Sequence, residues 1–166
     1  MKTLLIVRHA KSDWSELGLD DFDRPLNRRG QKDLPRIAGA LRRLAPPDQI
    51  LSSPALRARQ TAEHLAAALD REGQLQFDPD LYLAPAGQLA RAACGLPDSA
   101  DTALVVAHNP GLEHWVADLC GAQVRLPTGA IAALTLGTET WQNAKDAPAL
   151  LMWLLVPRLL KALETD

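Results

Sequence analysis

The sequence predicts an α/β fold: a single three-layer domain in which a mostly parallel central sheet is flanked by helices. Three observations support this. Apolar runs at residues 4–7 and 102–107 are rich in β-branched side chains, as in strands buried on both faces. Amphipathic stretches with helical spacing alternate with such runs over most of the chain. At 166 residues, without repeats or low-complexity segments, the chain has the length of one domain covering residues 1–166.

The elements can be placed in order from their periodicity and end signals. Residues 12–25 follow the first strand, lack sustained periodicity and are rich in Asp, Ser and Gly, so we expect a loop over the end of that strand. Asn27 is suited to cap the first helix, and the prolines at 46–47 end it. The further predicted strands lie at 49–51, 75–77, 102–107, 130–136 and 150–156, and the further helices at about 54–70, 86–94, 110–121 and 157–163.

Two helices are predicted to begin with the same signal, a capping residue followed by proline. Ser53 precedes Pro54, and Asn109 precedes Pro110. Both pairs follow short apolar strands, so free backbone amides of the two helix N-termini would face the sheet edge where the strands end. Ligands of open α/β sheets bind at that edge.

Composition and charge argue against several classes of protein. The formal net charge is -2 and no block of lysine and arginine stands out, so we expect no nucleic-acid partner. The apolar run near the carboxyl end is about half of the ~20 residues that span a bilayer, and the amino-terminal run is too short for a secretory signal. We therefore expect a soluble, cytoplasmic monomer without a membrane partner, in which Cys94 and Cys120 are free thiols.

Three motifs carry chemistry. Arg8 and His9 directly follow the first strand, Arg57 lies within LSSPALRARQT at 51–61, and His108 follows the strand in LVVAHNP at 104–110. In this order, the motifs resemble those of the histidine phosphatase superfamily, the phosphoglycerate mutase-like proteins. The short length, the RPL-x-x-x-G segment at 24–30 and the late TGAIAAL strand are similar to the small phosphohistidine phosphatases of the SixA type.

The resemblance implies a phosphoglycerate mutase-like fold and a set of site residues. It places His9 as the nucleophile that forms a phosphohistidine intermediate, with Arg8, Arg57 and His108 completing the catalytic set. It also places Ser15, where relatives often have an asparagine, and Asn109 beside the phosphate. Arginine suits this task because its planar fork of donors binds phosphate oxygens bidentately. Two neighbouring guanidinium groups should keep the nucleophile neutral. No metal and no cofactor are implied.

One departure from the wider family bears on the substrate. Many relatives have a glutamate general acid after the second helix, whereas LYLAPAG at 81–87 has no carboxylate. An imidazole leaves phosphorus with less protonation than an alkoxide, so this absence favours a phosphohistidine on a protein as substrate. A proton from Asp13, Asp20 or water stays open.

Two other functions stay open. The first is hydrolysis of a small-molecule phosphate ester, which a carboxylate folding over the site from residues 12–25 would favour. The second is a catalytically silent module that binds phosphorylated partners, although the intact catalytic set argues against it. Arg24, Arg28 and Arg29 either line the rim and meet an acidic protein partner or form a solvated face.

Overall fold

A six-stranded sheet runs through the centre of the protein, whose computed structural model describes residues 1–163. The strands are β1 (Lys2–Arg8), β2 (Gln49–Ser52), β3 (Leu75–Phe77), β4 (Thr102–Ala107), β5 (Ile131–Leu136) and β6 (Ala149–Leu155). They are ordered β3-β2-β4-β1-β5-β6, and only the pairs that involve β5 are antiparallel. The predicted mostly parallel sheet is therefore confirmed.

Helices cover both faces of the sheet. They are α1 (Arg28–Leu44), α2 (Leu56–Ala68), α3 (Ala86–Cys94), α4 (Gly111–Cys120) and α5 (Pro157–Leu163). Four short 3-10 turns lie at Asp21–Asp23, Glu72–Gln74, Pro79–Leu81 and Trp141–Asn143. Side chains of α1 and α2 form one apolar core with the sheet, and those of α3 and α4 form a second core on the opposite face. Within residues 1–163, no helix has the length and apolar character required to cross a bilayer.

The first helix begins where the sequence predicts. The side chain of Asn27 accepts a hydrogen bond from the backbone N–H of Gly30 at 2.9 Å, which satisfies one free donor of the helix N-terminus. Gly30 is required there, because a Cβ would lie 2.3 Å from the carbonyl oxygen of Lys11. The chain after β1 is thereby held closely against the start of α1.

The predicted caps at Ser53 and Asn109 are wrong, because α2 and α4 begin later and neither helix has a side-chain cap. The Ser53 hydroxyl instead accepts from the backbone N–H of Ala55 at 3.3 Å and lies 2.8 Å from His108. The Asn109 amide donates to Glu113 at 2.8 Å. Both side chains are thus drawn into hydrogen bonds around the site rather than along a helix axis.

Pairing of β1 with β4 brings the two histidine motifs together. The parallel register sets Arg8 opposite Ala107, and the backbone N–H of His9 donates to the carbonyl of Ala107 at 3.2 Å. His9 and His108 therefore leave the sheet side by side at its carboxyl edge, as expected for a ligand site in an open α/β fold.

Candidate active site

A cavity of about 440 Å³ opens at the carboxyl ends of β1 and β4. Its lining includes all four predicted catalytic side chains, Arg8, His9, Arg57 and His108. Arg8 is the last residue of β1, and His9 follows it directly. Arg57 lies in the first turn of α2, and His108 follows β4. Residues distant in the sequence thus converge on one site.

His9 is buried and held in a defined orientation. Its Nδ1 lies 2.8 Å from the carbonyl oxygen of Ala10, which can only accept, so Nδ1 carries the proton. The Nε2 lone pair then accepts from Arg57 Nε at 3.2 Å. The pKa of His9 is lowered to about 4, mainly because burial disfavours the charged ring, with Arg57 and Arg8 acting in the same direction. The imidazole is therefore neutral at pH 7, as a nucleophile requires.

Arg57 links His9 and His108 to the loop after β1. Beyond its bond to His9, its Nη2 donates to Asp21 Oδ2 at 2.8 Å and lies 3.4 Å from His108 Nδ1. Its Nη1 donates to the backbone carbonyl of Asp21. Arg57 is only 4% exposed. Its guanidinium N–H groups bind Asp21, so a phosphate would have to compete with this carboxylate for them.

Asp21 and Tyr82 belong to the site although the sequence did not identify them. The Tyr82 hydroxyl donates to Asp21 Oδ2 at 2.8 Å. Burial alone would raise the pKa of Asp21, but hydrogen bonds from Tyr82 and Arg57 outweigh it and lower the pKa. The carboxylate is therefore ionised at neutral pH. The cluster of acidic residues at 20–23 was the only sequence signal for this contact.

His108 is held from two sides. Its Nε2 lies 2.8 Å from Ser53 Oγ, and the Tyr82 ring packs edge-on at 5.5 Å between centroids. The pKa of His108 is lowered to about 3, chiefly by burial and then by the neighbouring charges of His9 and Arg57. Because a serine hydroxyl can donate or accept, Ser53 can pair with either tautomer of His108, and the tautomer that carries its proton on Nδ1 could donate to a phosphate oxygen.

Arg8 has an N–H donor that is not used within the described part of the protein. Its Nη1 donates to the carbonyl of Leu126 at 2.9 Å, while none of the described residues 1–163 accepts from its buried Nε. Burial lowers the pKa of Arg8, and the Glu113 carboxylate opposes this shift. Arg8 is half-buried and lines the cavity, and a guanidinium with an unpaired N–H is suited to bind an oxyanion.

Glu113 fixes the segment that holds Arg8. Its Oε1 accepts from Asn109 Nδ2 and from the backbone N–H of Leu126, each at 2.8 Å. Asn109 Nδ2 also donates to the Leu126 carbonyl at 3.0 Å. Asn109 does line the cavity, but its amide hydrogens hold this segment instead of facing a phosphate. Sequence reasoning missed Glu113, since nothing in the pattern of a helix marks such a contact.

Ser15 does not line the cavity, and its contact with phosphate stays a prediction. Ser15 is exposed, and its backbone N–H and hydroxyl donate to Asp13 Oδ1 at 2.8 and 2.7 Å. This local hydrogen-bonded turn directs Ser15 away from the cavity, which it does not line. Neither Asp13 nor Asp20, the two carboxylates proposed as proton sources, lines the cavity.

Residues 1–163 contain no group of three or more histidine, cysteine or carboxylate side chains arranged to hold a metal ion. Independence from metals stays a prediction. The groups that the cavity does present are a neutral imidazole, a second imidazole and two guanidiniums, at the carboxyl edge of a parallel sheet. This combination defines an enzyme that acts on phosphoryl groups, because nucleophile and charge stabilisation are both supplied by side chains.

Comparisons with known proteins identify the family. The model of the histidine phosphatase superfamily (branch 1) matches residues 4–91, and the chain belongs to this superfamily. It is 34% identical over 154 residues to an uncharacterized chloroplastic protein of Arabidopsis thaliana, covering 86% of this chain and 70% of that protein. It is 29% identical over 163 residues to the phosphohistidine phosphatase SixA of Escherichia coli, covering 89% of this chain and 99% of that protein.

Solved structures confirm the fold. A candidate phosphohistidine phosphatase SixA from Nakamurella multipartitia superposes with a TM-score of 0.82 at 26% identity, covering 94% of this chain and 96% of that one. A protein histidine phosphatase SixA complexed with tungstate gives 0.80 at 24% identity, covering 95% and 99%. The predicted phosphoglycerate mutase-like fold is confirmed, and the chain is a phosphatase by family and fold.

Proposed function

We propose that this phosphatase hydrolyses phosphohistidine on a protein through a covalent intermediate on His9. The observation that carries the proposal is the absence of a protonated carboxylic acid at the site. Among the described residues that line the cavity, Asp21 is the one carboxylate, and its pKa is lowered by Tyr82 and Arg57. An ionised carboxylate cannot donate a proton to a leaving group.

The chemistry of the leaving group explains why this matters. Breaking the bond from phosphorus to the oxygen of a sugar releases an alkoxide, which needs a proton as it leaves. Breaking the bond from phosphorus to an imidazole nitrogen releases a ring that accepts a proton readily from water. A site with strong positive charge and no general acid therefore suits phosphohistidine.

Two displacements complete the proposed reaction. The Nε2 lone pair of His9 attacks phosphorus, the bond to the substrate nitrogen breaks, and that nitrogen takes its electron pair and a proton from solvent. Water then attacks the phosphorylated His9, the bond between phosphorus and Nε2 breaks, and inorganic phosphate leaves after losing a proton to solvent. Arg8 and Arg57 stabilise the equatorial oxygens in both steps.

The rim of the cavity supports a protein substrate. Trp14 and Leu83 line the mouth and are 59% and 54% exposed. Leu17 and Phe22, on the neighbouring loop, are 96% and 38% exposed. Exposed large apolar side chains around a polar cavity are typical of a surface that packs against another protein.

A small phosphate ester is the second candidate substrate, and one observation favours it. Asp21 comes from residues 12–25, the loop from which a carboxylate was expected if esters are hydrolysed, and it does reach the cavity. A phosphate that displaced Asp21 from Arg57 would remove one of the two contacts, beside that of Tyr82, that lower the pKa of this carboxylate. Asp21 would then become a candidate general acid.

Phosphate release from two kinds of substrate tests the proposal. The substrates are a phosphohistidine-bearing phosphotransfer domain and a panel of sugar phosphates, with His9→Ala as the blank and His114→Ala, at an exposed position on α4, as the matched histidine control. We expect fast release from the domain by the wild type and by His114→Ala, and none by His9→Ala. Release of phosphate mainly from the sugar phosphates would contradict the proposal and would favour a small phosphate ester as the substrate.

A further inference from the structure

A second, larger concave surface lies between α1 and α5. This basic groove has a volume of about 680 Å³ and is lined chiefly by cationic side chains, Arg28, Arg29, Lys32, Arg36, Arg158 and Lys161. Asp33 is the one acidic residue that lines it among residues 1–163. The formal net charge of the whole chain is -2, so this concentration of positive charge is local and not a property of the average surface.

The single carboxylate does not neutralise the groove. Asp33 is buried at its base, where Oδ2 lies 3.8 Å from Arg29 Nε and Oδ1 lies 3.5 Å from Arg36 Nη1. Asp33 thus lies close to two of the arginines. Five of the six cations are exposed, and Arg36 is half-buried. The surface presented to solvent is therefore strongly positive.

The stability of α1 does not account for this arrangement. Arg28 and Arg29 occupy the first turn of the helix, which contains no acidic residue. The amino end of a helix carries a partial positive charge and favours carboxylates, so arginines there are disfavoured. Repulsion among the cations of the two helices acts in the same direction. Binding of a partner with the opposite charge would account for this cluster of cations.

The basic groove adjoins the active site. Pro157, which lines the groove, lies directly against Gly129, since a Cβ on that glycine would be 2.8 Å from Pro157 Cγ. The backbone N–H of Gly129 in turn lies 3.0 Å from the carbonyl oxygens of both Arg8 and His9. A protein that inserts a phosphohistidine into the catalytic cavity would therefore place the surface beside that residue over the basic groove.

We propose that the basic groove docks an acidic surface of the protein substrate, beside its phosphohistidine. This inference rests on the proposed function. Charge complementarity indicates an acidic partner surface, and the exposed apolar side chains Trp14 and Leu83 at the catalytic cavity favour a protein as the partner. A nucleic acid fits less well, because no aromatic side chain lines the groove on which a base could stack.

Charge reversal on α5 tests the docking surface. The variant is Arg158→Glu combined with Lys161→Glu, two exposed positions on a terminal helix. The control is Arg43→Glu combined with Arg91→Glu, which changes the net charge equally at exposed positions outside the groove. The substrates are free phosphohistidine and two phosphorylated phosphotransfer domains, one with acidic and one with basic residues around the histidine.

At low ionic strength, we expect the α5 variant to lose about tenfold or more in kcat/KM on the acidic domain, within the range of electrostatic steering. Its kcat/KM on free phosphohistidine should stay at the wild-type value, as should that of the control on every substrate. The loss should shrink as salt is added. Equal kcat/KM on the acidic domain, or an equal loss on all three substrates, would overturn the inference.

Binding of the unphosphorylated acidic domain separates this inference from the proposed function, because it needs no turnover. We expect the wild type and the control to bind it, and the α5 variant to bind about tenfold more weakly. If the wild type released no phosphate from any phosphohistidine, the proposed function would fail while this binding difference could still stand. Equal binding by all three proteins, or tighter wild-type binding to a DNA duplex than to the domain, would refute the docking surface.

Discussion

Replacing Glu113 with alanine should damage both stability and activity, although this residue does not touch the reacting atoms. Its Oε1 accepts two hydrogen bonds at 2.8 Å, from Asn109 Nδ2 and the backbone of Leu126, and its side chain is 19% exposed. A hydrogen bond to a charged group contributes about 1.5–3 kcal/mol. Taking the lower end for each bond, because the site is partly solvated, Glu113→Ala should lower the free energy of unfolding by about 3 kcal/mol.

The same substitution should reach the catalytic site through Leu126, whose carbonyl holds Arg8 Nη1. A misplaced positioning group commonly costs about tenfold to a hundredfold in rate, so we expect kcat/KM to fall by that amount. Glu113→Gln keeps a carbonyl acceptor and should lose about half as much stability, since charge-assisted bonds are roughly twice as strong as neutral ones.

Urea unfolding and steady-state hydrolysis of a phosphohistidine substrate measure the two effects. Glu63→Ala, at an exposed position on α2, is the control and should change stability by less than about 0.5 kcal/mol. The reasoning is refuted if Glu113→Ala unfolds at the same urea concentration as the control, or if it loses stability while kcat/KM stays at the wild-type value.

Three further predictions concern the site itself. Asp21→Asn should bind inorganic phosphate several-fold more tightly, because the charged competitor for Arg57 is removed, and it should keep its turnover of phosphohistidine. Competitive inhibition by phosphate measures the change in binding. A loss of turnover would instead make Asp21 a participant in proton transfer. Arg57→Ala should weaken phosphate binding and abolish most turnover, whereas His9→Ala should abolish turnover and leave part of the phosphate binding; titration calorimetry with phosphate distinguishes them, and equal behaviour of the two variants would contradict the assigned roles. The pKa of His9 is about 4 and that of His108 about 3 in the folded protein, against 6.5 for an ordinary histidine. As the pH falls, the unfolded chain therefore becomes protonated at both histidines before the folded protein does. The free energy of unfolding should accordingly decline as the pH falls from about 6.5 towards 4. Urea unfolding at several pH values, with His9→Gln combined with His108→Gln as the reference, should show a flatter dependence in the double variant, and identical slopes would disprove the buried neutral state.

The regular apolar patterns of the sequence predicted the order and type of the strands and helices well. The β-branched runs within β1 and β4 are apolar because both faces of the sheet are covered. The bounds of β4 agree with the predicted 102–107, whereas β1 extends two residues before and one residue after the apolar run at 4–7. Arg8, His9, Arg57 and His108 follow strands or open a helix in recognisable motifs, and the fold brings all four together.

Contacts between loops could not be predicted in this way. Asp21 and Tyr82 are 61 residues apart and meet through one hydrogen bond, and no periodicity marks either residue. The caps expected at Ser53 and Asn109 failed for a related reason, since both residue types also bind neighbouring side chains, and here tertiary partners took precedence over the helix ends.

The register between β1 and β4 has a consequence for how the site opens. His9 and His108 follow paired strands at the centre of the sheet, so their spacing is kept until the domain unfolds as a whole. Asp21 lies on a largely exposed loop joined to Arg57 and Tyr82 by a few hydrogen bonds, and such segments open locally at much lower free energy. We therefore expect release of this carboxylate to govern the access of a phosphoryl group, while His9, the proposed nucleophile, keeps its position.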